Sequence, residues 1–263
     1  MKQIILGTDE AGYGPNLGPL VISLTAWEAD TEDISFLFEP LKREGISISD
    51  SKKLYHGGSL AALEASLLAP LRTLKIDALP IANNKEKIDL LSEKFETVLH
   101  QHQVRLLDMQ YRAIEPKEFN QLVDRFNSKG ALLSDVTLRM ITEQLEKLPL
   151  DKKILVLCDK HGGRNHYLDI LTDFFPGEYI HVVRQSRESS VYRLTSAMRQ
   201  LEFRFLAKGE SLPPKYRDHQ LKGRMKHLRE CHLQGDWLLI YRIFEDKLIL
   251  SLHSTGTHTD LLE

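Results

Sequence analysis

A mixed α/β fold with an antiparallel β element at its end is predicted by three observations. Two short apolar runs, residues 4–8 and 154–158, each stop abruptly at acids, as buried strands of an open sheet do. Between and after them lie stretches with helical spacing of apolar residues. The last fifty residues then hold two further strand-like runs separated by a short polar turn. Mixed helix and strand followed by β alone is the pattern of an α/β core carrying a separate β piece.

The first run is followed by Gly12-Tyr-Gly-Pro-Asn-Leu-Gly18 and a second apolar run at 20–27, which gives strand, glycine loop, strand. Leucine and alanine spacing predicts a helix over 60–71. Others are predicted at about 87–100, 116–126 and 130–148, with Pro116 at a first turn where its missing N–H costs nothing. After the 154–158 strand come a short helix at about 167–175 and a strand at 179–183. Leu201, Phe203 and Phe205 alternate with Glu202 and Arg204, a strand period. Lys208 to Pro214 is the best linker, dividing residues 1–210 from 211–263. Strands at 237–243 and 248–252, turning at Glu245-Asp246, form a hairpin beyond it.

With 42% hydrophobic and 27% charged residues the composition is that of an ordinary globular protein. No apolar run approaches the ~18 residues of a membrane span. The opening residues are too quickly broken by acids for a secretory signal, so a cytoplasmic location is expected. Cys158 and Cys231 are far apart, in no metal-ligand spacing, and read as two free thiols. The net charge of −2 does not by itself suggest a nucleic-acid partner. Its distribution is more informative: Lys215, Arg217, Lys222, Arg224, Lys226 and Arg229 face only Asp218 within one short stretch, a candidate phosphate-backbone contact or a solvated face.

Asp9 and Glu10 stand at the end of the first strand, and Asp159 at the end of the 154–158 strand. Carboxylates gathered at strand ends repel unless a cation lies between them. They therefore suggest a Mg²⁺ or Mn²⁺ site of the kind that hydrolyses phosphoesters. For a single strand-end Asp, a turn or helix cap is the competing explanation. The segment 7–23 resembles the opening motif of ribonuclease HII, Asp50-Ser-Lys-Lys-Leu54 resembles that family's second motif, and Cys158-Asp-Lys-His-Gly-Gly-Arg164 its third. Over residues 1–210 this resemblance implies an RNase H-like mixed sheet flanked by helices. It also implies Asp9, Glu10 and Asp159 as ligands of Mg²⁺ or Mn²⁺, and cleavage of RNA in RNA–DNA hybrids. Gly12, Tyr13 and Gly14 would approach the substrate backbone, and Asp50, Ser51 and Lys52 would border its groove. Two departures are visible: Tyr13 replaces the family's cation, and its fourth carboxylate has no counterpart, with Glu188, Asp218 and Glu230 as candidates.

Histidines next to acids and bases mark the tail, and imidazole suits the two proton transfers of metal-free RNA cleavage, although a lone surface histidine is commoner. Three blocks, residues 214–223, 229–241 and 254–262, closely resemble the RelE/YafQ-like mRNA interferase toxins. The resemblance implies an acid–base set of His219, His232, Asp236 and His258, with Trp237 beside it. It also implies no metal, a substrate of ribosome-bound mRNA and an antitoxin partner. A third reading, from another class, is a non-catalytic fusion that keeps an RNA- or antitoxin-binding surface.

Overall fold

The computed structural model describes residues 2–12, 18–49, 54, 60–76, 85–197, 199–207, 219–221, 225, 228–234, 237–244 and 249–257. The expected mixed α/β sheet flanked by helices is what forms. Seven strands lie in the order β3-β2-β1-β4-β7-β6-β5. They are β1 (Gln3–Ala11), β2 (Leu20–Ala29), β3 (Arg105–Ile114), β4 (Lys153–Asp159), β5 (Tyr179–Gln185), β6 (Ser189–Thr195) and β7 (Gln200–Leu206). Parallel pairing is confined to the centre, β1 with β4 and β4 with β7, and the outer strands run antiparallel.

Central position explains the sequence of β1 and β4. Alternate side chains point to opposite faces, and both faces are covered. Ile4, Leu6, Ile154 and Val156 enter one core with Leu20, Ile22 and Leu24 of β2. Ile5 enters the second core, and Leu157 packs against it. The first core is closed by α4 (Pro116–Phe126), α5 (Lys129–Glu146) and α6 (Leu168–Phe174), through Phe119, Leu133, Leu138, Ile141 and Leu171. The second is closed by α1 (Phe38–Arg43), α2 (Ala61–Thr73) and α3 (Lys85–Gln101), through Leu41, Ala69, Phe95 and Leu99.

The helix boundaries follow local chemistry. Pro116 opens α4 after an extended Glu115, and Asn127 ends it in the left-handed region at φ 51°. The next residue, Ser128, caps α5 by accepting from the Ala131 N–H. Strands β3 and β6 and helix α1 were not among the predicted elements. Strand β3 is an edge strand whose residues are mostly exposed or half-buried, so its apolar period is faint. Helix α1 has only six residues.

A second sheet holds four antiparallel strands in the order β11-β10-β9-β8. These are β8 (His219–Gln220), β9 (Arg229–Gln234), β10 (Trp237–Phe244) and β11 (Ile249–Thr257). The predicted hairpin is β10–β11, while the 245–246 turn and the 208–214 linker lie outside the described residues. Among the described residues, no helix is long and apolar enough to cross a membrane.

Candidate functional site

Parallel pairing of β1 with β4 sets Gly7 beside Leu157, so both strands run out at the same edge of the sheet. Two residues on, Asp9 and Asp159 occupy matching positions, and Glu10 follows Asp9. Ligand oxygens of Asp9, Glu10 and Asp159 lie within 4.8 Å of one another, Asp9 exposed and the other two half-buried. Sequence reasoning named this trio, and the fold brings it together. Asp9 is held by its strand: Asp9 pairs with Ser23 on β2, whose hydroxyl donates to the Asp9 carbonyl. The Glu10 N–H donates to Asp9 Oδ1 at 2.8 Å.

An open cleft of about 310 Å³ adjoins the trio on the second-core side of the sheet, bordered by Gly7, Asp9, Ser23, Thr25, Asp159 and Leu206. The three carboxylates of the cluster offer only oxygen, which fits a hard divalent cation such as Mg²⁺ or Mn²⁺ better than a soft one. The neighbouring thiol belongs to the fold: Cys158 is buried in the first core, and burial, with the Asp159 and Glu10 charges adding to it, pushes the thiol up to about 12.

Beyond Asp159 the chain enters a buried polar network that sequence reasoning missed. The His161 N–H donates to Tyr167 Oη at 2.8 Å, and the His161 ring nitrogen Nδ1 lies 3.0 Å from Ser134 Oγ. That hydroxyl donates its one proton to the Gly130 carbonyl, so the ring must be the donor in their contact. His161 therefore carries a proton on Nδ1, and burial keeps the ring neutral. Burial, and secondarily the Arg164 cation, depress its pKa to about 3. The Tyr167 N–H in turn donates to Tyr192 Oη, which also accepts from Gln185 Nε2. In the sequence His161 is marked only by its place in the 158–164 segment after a strand-end acid, and nothing there shows that it is buried.

Gly12 follows β1 with φ +80°, and a Cβ there would lie 2.6 Å from the Pro19 carbonyl oxygen. Gly12→Ala is expected to cost about 1–3 kcal/mol, because backbone strain and a backbone clash act together. Gly18→Ala, with φ +97° but nothing within 4 Å, should cost less. Urea midpoints of the two variants check the ranking.

The other predicted substrate-binding residues of this region, Tyr13, Gly14, Asp50, Ser51 and Lys52, lie outside the described residues. Of the candidates for a fourth carboxylate, Glu188 sits in the β5–β6 turn and accepts from Ser186 Oγ. It is not in the close trio. Asp218 lies outside the described residues. Glu230 pairs with His219 between β9 and β8.

In the second sheet, His232 pairs with Leu238, and Trp237 lies opposite Thr257. One end of β9, β10 and β11 thus gathers His232, Trp237 and the residue preceding His258. Asp236 and His258 lie outside the described residues.

Comparison with known proteins bears on this C-terminal part. A family model described as the bacterial toxin of type II toxin–antitoxin systems, YafQ, matches residues 181–263. The mRNA interferase toxin YafQ of Escherichia coli K12 is 48% identical over 50 residues, 19% of this chain and 52% of that protein. A putative toxin YafQ of Haemophilus influenzae is 55% identical over 31 residues, 12% of this chain and 30% of that protein. A crystal structure of a copper-bound mutant toxin from Helicobacter pylori overlaps 21% of this chain and 60% of that one, at 42% identity and a TM-score of 0.19. The match to the family model begins in β5, within the seven-stranded sheet. Residues 181–263 are therefore similar in sequence to the YafQ toxins, and the chain spans about half the length of the curated relatives it matches.

Proposed function

We propose that this chain is an endoribonuclease whose C-terminal segment cleaves mRNA as a toxin of a bacterial toxin–antitoxin pair. The observation that carries the reading is the YafQ family match over residues 181–263. His219, His232, Asp236 and His258 are the proposed acid–base set, exchanging protons with the 2′-hydroxyl and the leaving 5′-oxygen. Trp237 is the proposed neighbour that packs beside them. The backbone register supports the grouping of His232, Trp237 and the start of the segment holding His258. On this reading the cleavage itself uses no metal ion, the protein works in the cytoplasm, and an antitoxin protein is its partner.

A second reading is favoured by one specific observation, the three carboxylates within 4.8 Å at the sheet edge. Here Asp9, Glu10 and Asp159 hold Mg²⁺ or Mn²⁺. When bound, the ions supply an activated water and charge stabilisation for phosphoester hydrolysis. The ribonuclease HII-like motifs around these residues point to RNA in RNA–DNA hybrids as the substrate.

Two substrates and two variants separate the readings. Cleavage of an mRNA in a translation reaction is expected to survive Asp9→Asn and to fall at least about 100-fold in His258→Ala. Cleavage of an RNA–DNA hybrid is expected to stop with EDTA or Asp9→Asn and to be indifferent to His258→Ala. If the mRNA is cut equally by His258→Ala, the leading reading fails. If neither substrate is cut with Mg²⁺ or Mn²⁺ present, the protein is a binding module only.

A further inference from the structure

We propose that the outer face of β5, β6 and β7 binds single-stranded RNA, with Tyr179 stacking on a base and arginines holding phosphates. This rests on the reading of the chain as an endoribonuclease acting on mRNA. It adds a binding surface made of none of the residues assigned above to cleavage. The three strands turn one face inward, where Ile180, Tyr192, Leu194, Leu201 and Phe203 enter or pack on the first core. Strand alternation sends their neighbours to the other side. There the second core stops short. It reaches β4 at Leu157 and, among the described residues, takes in nothing from β5, β6 or β7.

Cross-strand register gathers this outer face into rows. Tyr179 lies opposite Thr195, His181 opposite Arg193, and Arg184 opposite Val191. One strand further, Arg193 lies opposite Glu202 and Val191 opposite Arg204. Arg184 and Arg204 therefore flank Val191, and Arg193 stands one pleat away.

The acids of this face lie beneath its cations. Glu202 accepts from Arg193 at 3.0 Å and from Arg204 at 2.6 Å. Its side chain is 9% exposed, against 54% and 31% for the two arginines. One sunken carboxylate thus fixes two guanidinium groups on adjacent strands. Arg193 meets it through Nε and Nη2, which leaves the Nη1 donors for a phosphate oxygen. Arg184 is exposed and reaches the neutral Ser189 hydroxyl at 3.5 Å, a contact that leaves its charge in place. Glu32 bridges Arg204 to Lys153. Three arginines and a lysine thus surround two acids, and the face keeps a positive surplus.

Tyr179 stands at the end of the same face with 73% of its surface exposed. An open aromatic ring beside fixed cations suits unpaired nucleotides, whose bases stack while their phosphates are neutralised. A duplex hides the faces of its bases, so the partner is a single strand. Charge argues against a second copy, since two such faces would set arginine against arginine. The basic stretch 215–229 of this chain is disfavoured there for the same reason.

The test is fluorescence anisotropy of the full chain with a labelled 2′-O-methyl RNA strand of about 12 nucleotides, in EDTA. The blocked 2′-hydroxyl and the chelator stop both proposed cleavage chemistries, so binding alone is read. Tyr179→Ala should weaken binding about 10-fold, and Tyr179→Phe, which keeps the stacking ring, should bind as wild type does. Arg184→Ala should lower the slope of log affinity against log salt by about 0.7, the share of one phosphate on a single strand. The same RNA annealed to its complement should bind less tightly. Unchanged affinity in Tyr179→Ala, an unchanged slope in Arg184→Ala, or equal affinity for the duplex overturns the inference. So does a wild type that binds no RNA, or a dimer that Tyr179→Ala dissolves while RNA binding is unaffected. Failure of the endoribonuclease reading looks different: His258→Ala then cuts mRNA as wild type does, while the loss of RNA binding in Tyr179→Ala remains.

Discussion

Lowering the pH from 6.5 to 5 is expected to remove about 2 kcal/mol of folding stability through His161 alone. The imidazole has a folded pKa of about 3 against an ordinary value of 6.5. Above pH 6.5 neither the folded nor the unfolded state carries its proton, and His161 contributes nothing. Below 6.5 the unfolded state gains a proton that the folded state refuses, so stability falls with falling pH at about 1.4 kcal/mol per unit. The window closes near pH 3, where the folded state would at last accept the proton, for a full loss of up to about 5 kcal/mol. Carboxylates also titrate at the lower end, so the measurement is a comparison. Urea midpoints of wild type and His161→Asn, taken between pH 7 and 5, should show the wild type losing stability and the variant holding nearly level. Parallel slopes would mean that the imidazole is not the buried neutral group described above.

Phe205→Ala is expected to destabilise the fold by about 3–5 kcal/mol, the usual range for emptying a fully buried aromatic site. Phe205 is inaccessible to solvent and sits at the centre of an aromatic group. Tyr167 stacks on it, Phe203 lies 6.1 Å away, and His161 and Tyr192 approach edge-on at 5.6 and 6.3 Å. Rings already held by hydrogen bonds to their neighbours cannot collapse into the space, so most of the cavity would persist. The melting temperature is expected to fall on the order of 10 °C. Tyr179→Ala, at a side chain 73% exposed on the outer strand, should stay within about 0.5 kcal/mol of wild type. Calorimetry on both variants checks the contrast.

The elements that could be read from the sequence are those whose burial is simple. Strands β1 and β4 are covered on both faces and read as unbroken apolar runs ending in acids, which is also why Asp9, Glu10 and Asp159 could be named. Helices α3, α4 and α5 carried enough apolar repeats to be placed within a few residues. Strand β6 was hidden because its inner face mixes Ser190 with Tyr192 and Leu194, and the serine is buried by donating to the Asn165 carbonyl. A hydroxyl made tolerable by a partner 25 residues away leaves no local pattern. His161, Tyr167 and Tyr192 escaped notice for the same reason. Each looks polar in the chain, and only the fold pairs them.

Strand β1 has two sheet neighbours that are synthesised far apart in time. Strand β1 can pair with β2 almost at once, but its parallel partner places Ile4 against Ile154. Such distant partners make closure slow, since the intervening loop loses its freedom before the new contacts repay it. A growing polypeptide should therefore carry an early hairpin with one bare edge through much of its translation. The acidic corner is completed only after Asp159 has left the ribosome, so premature termination before that residue would release chains with no assembled cluster and an exposed strand prone to aggregate.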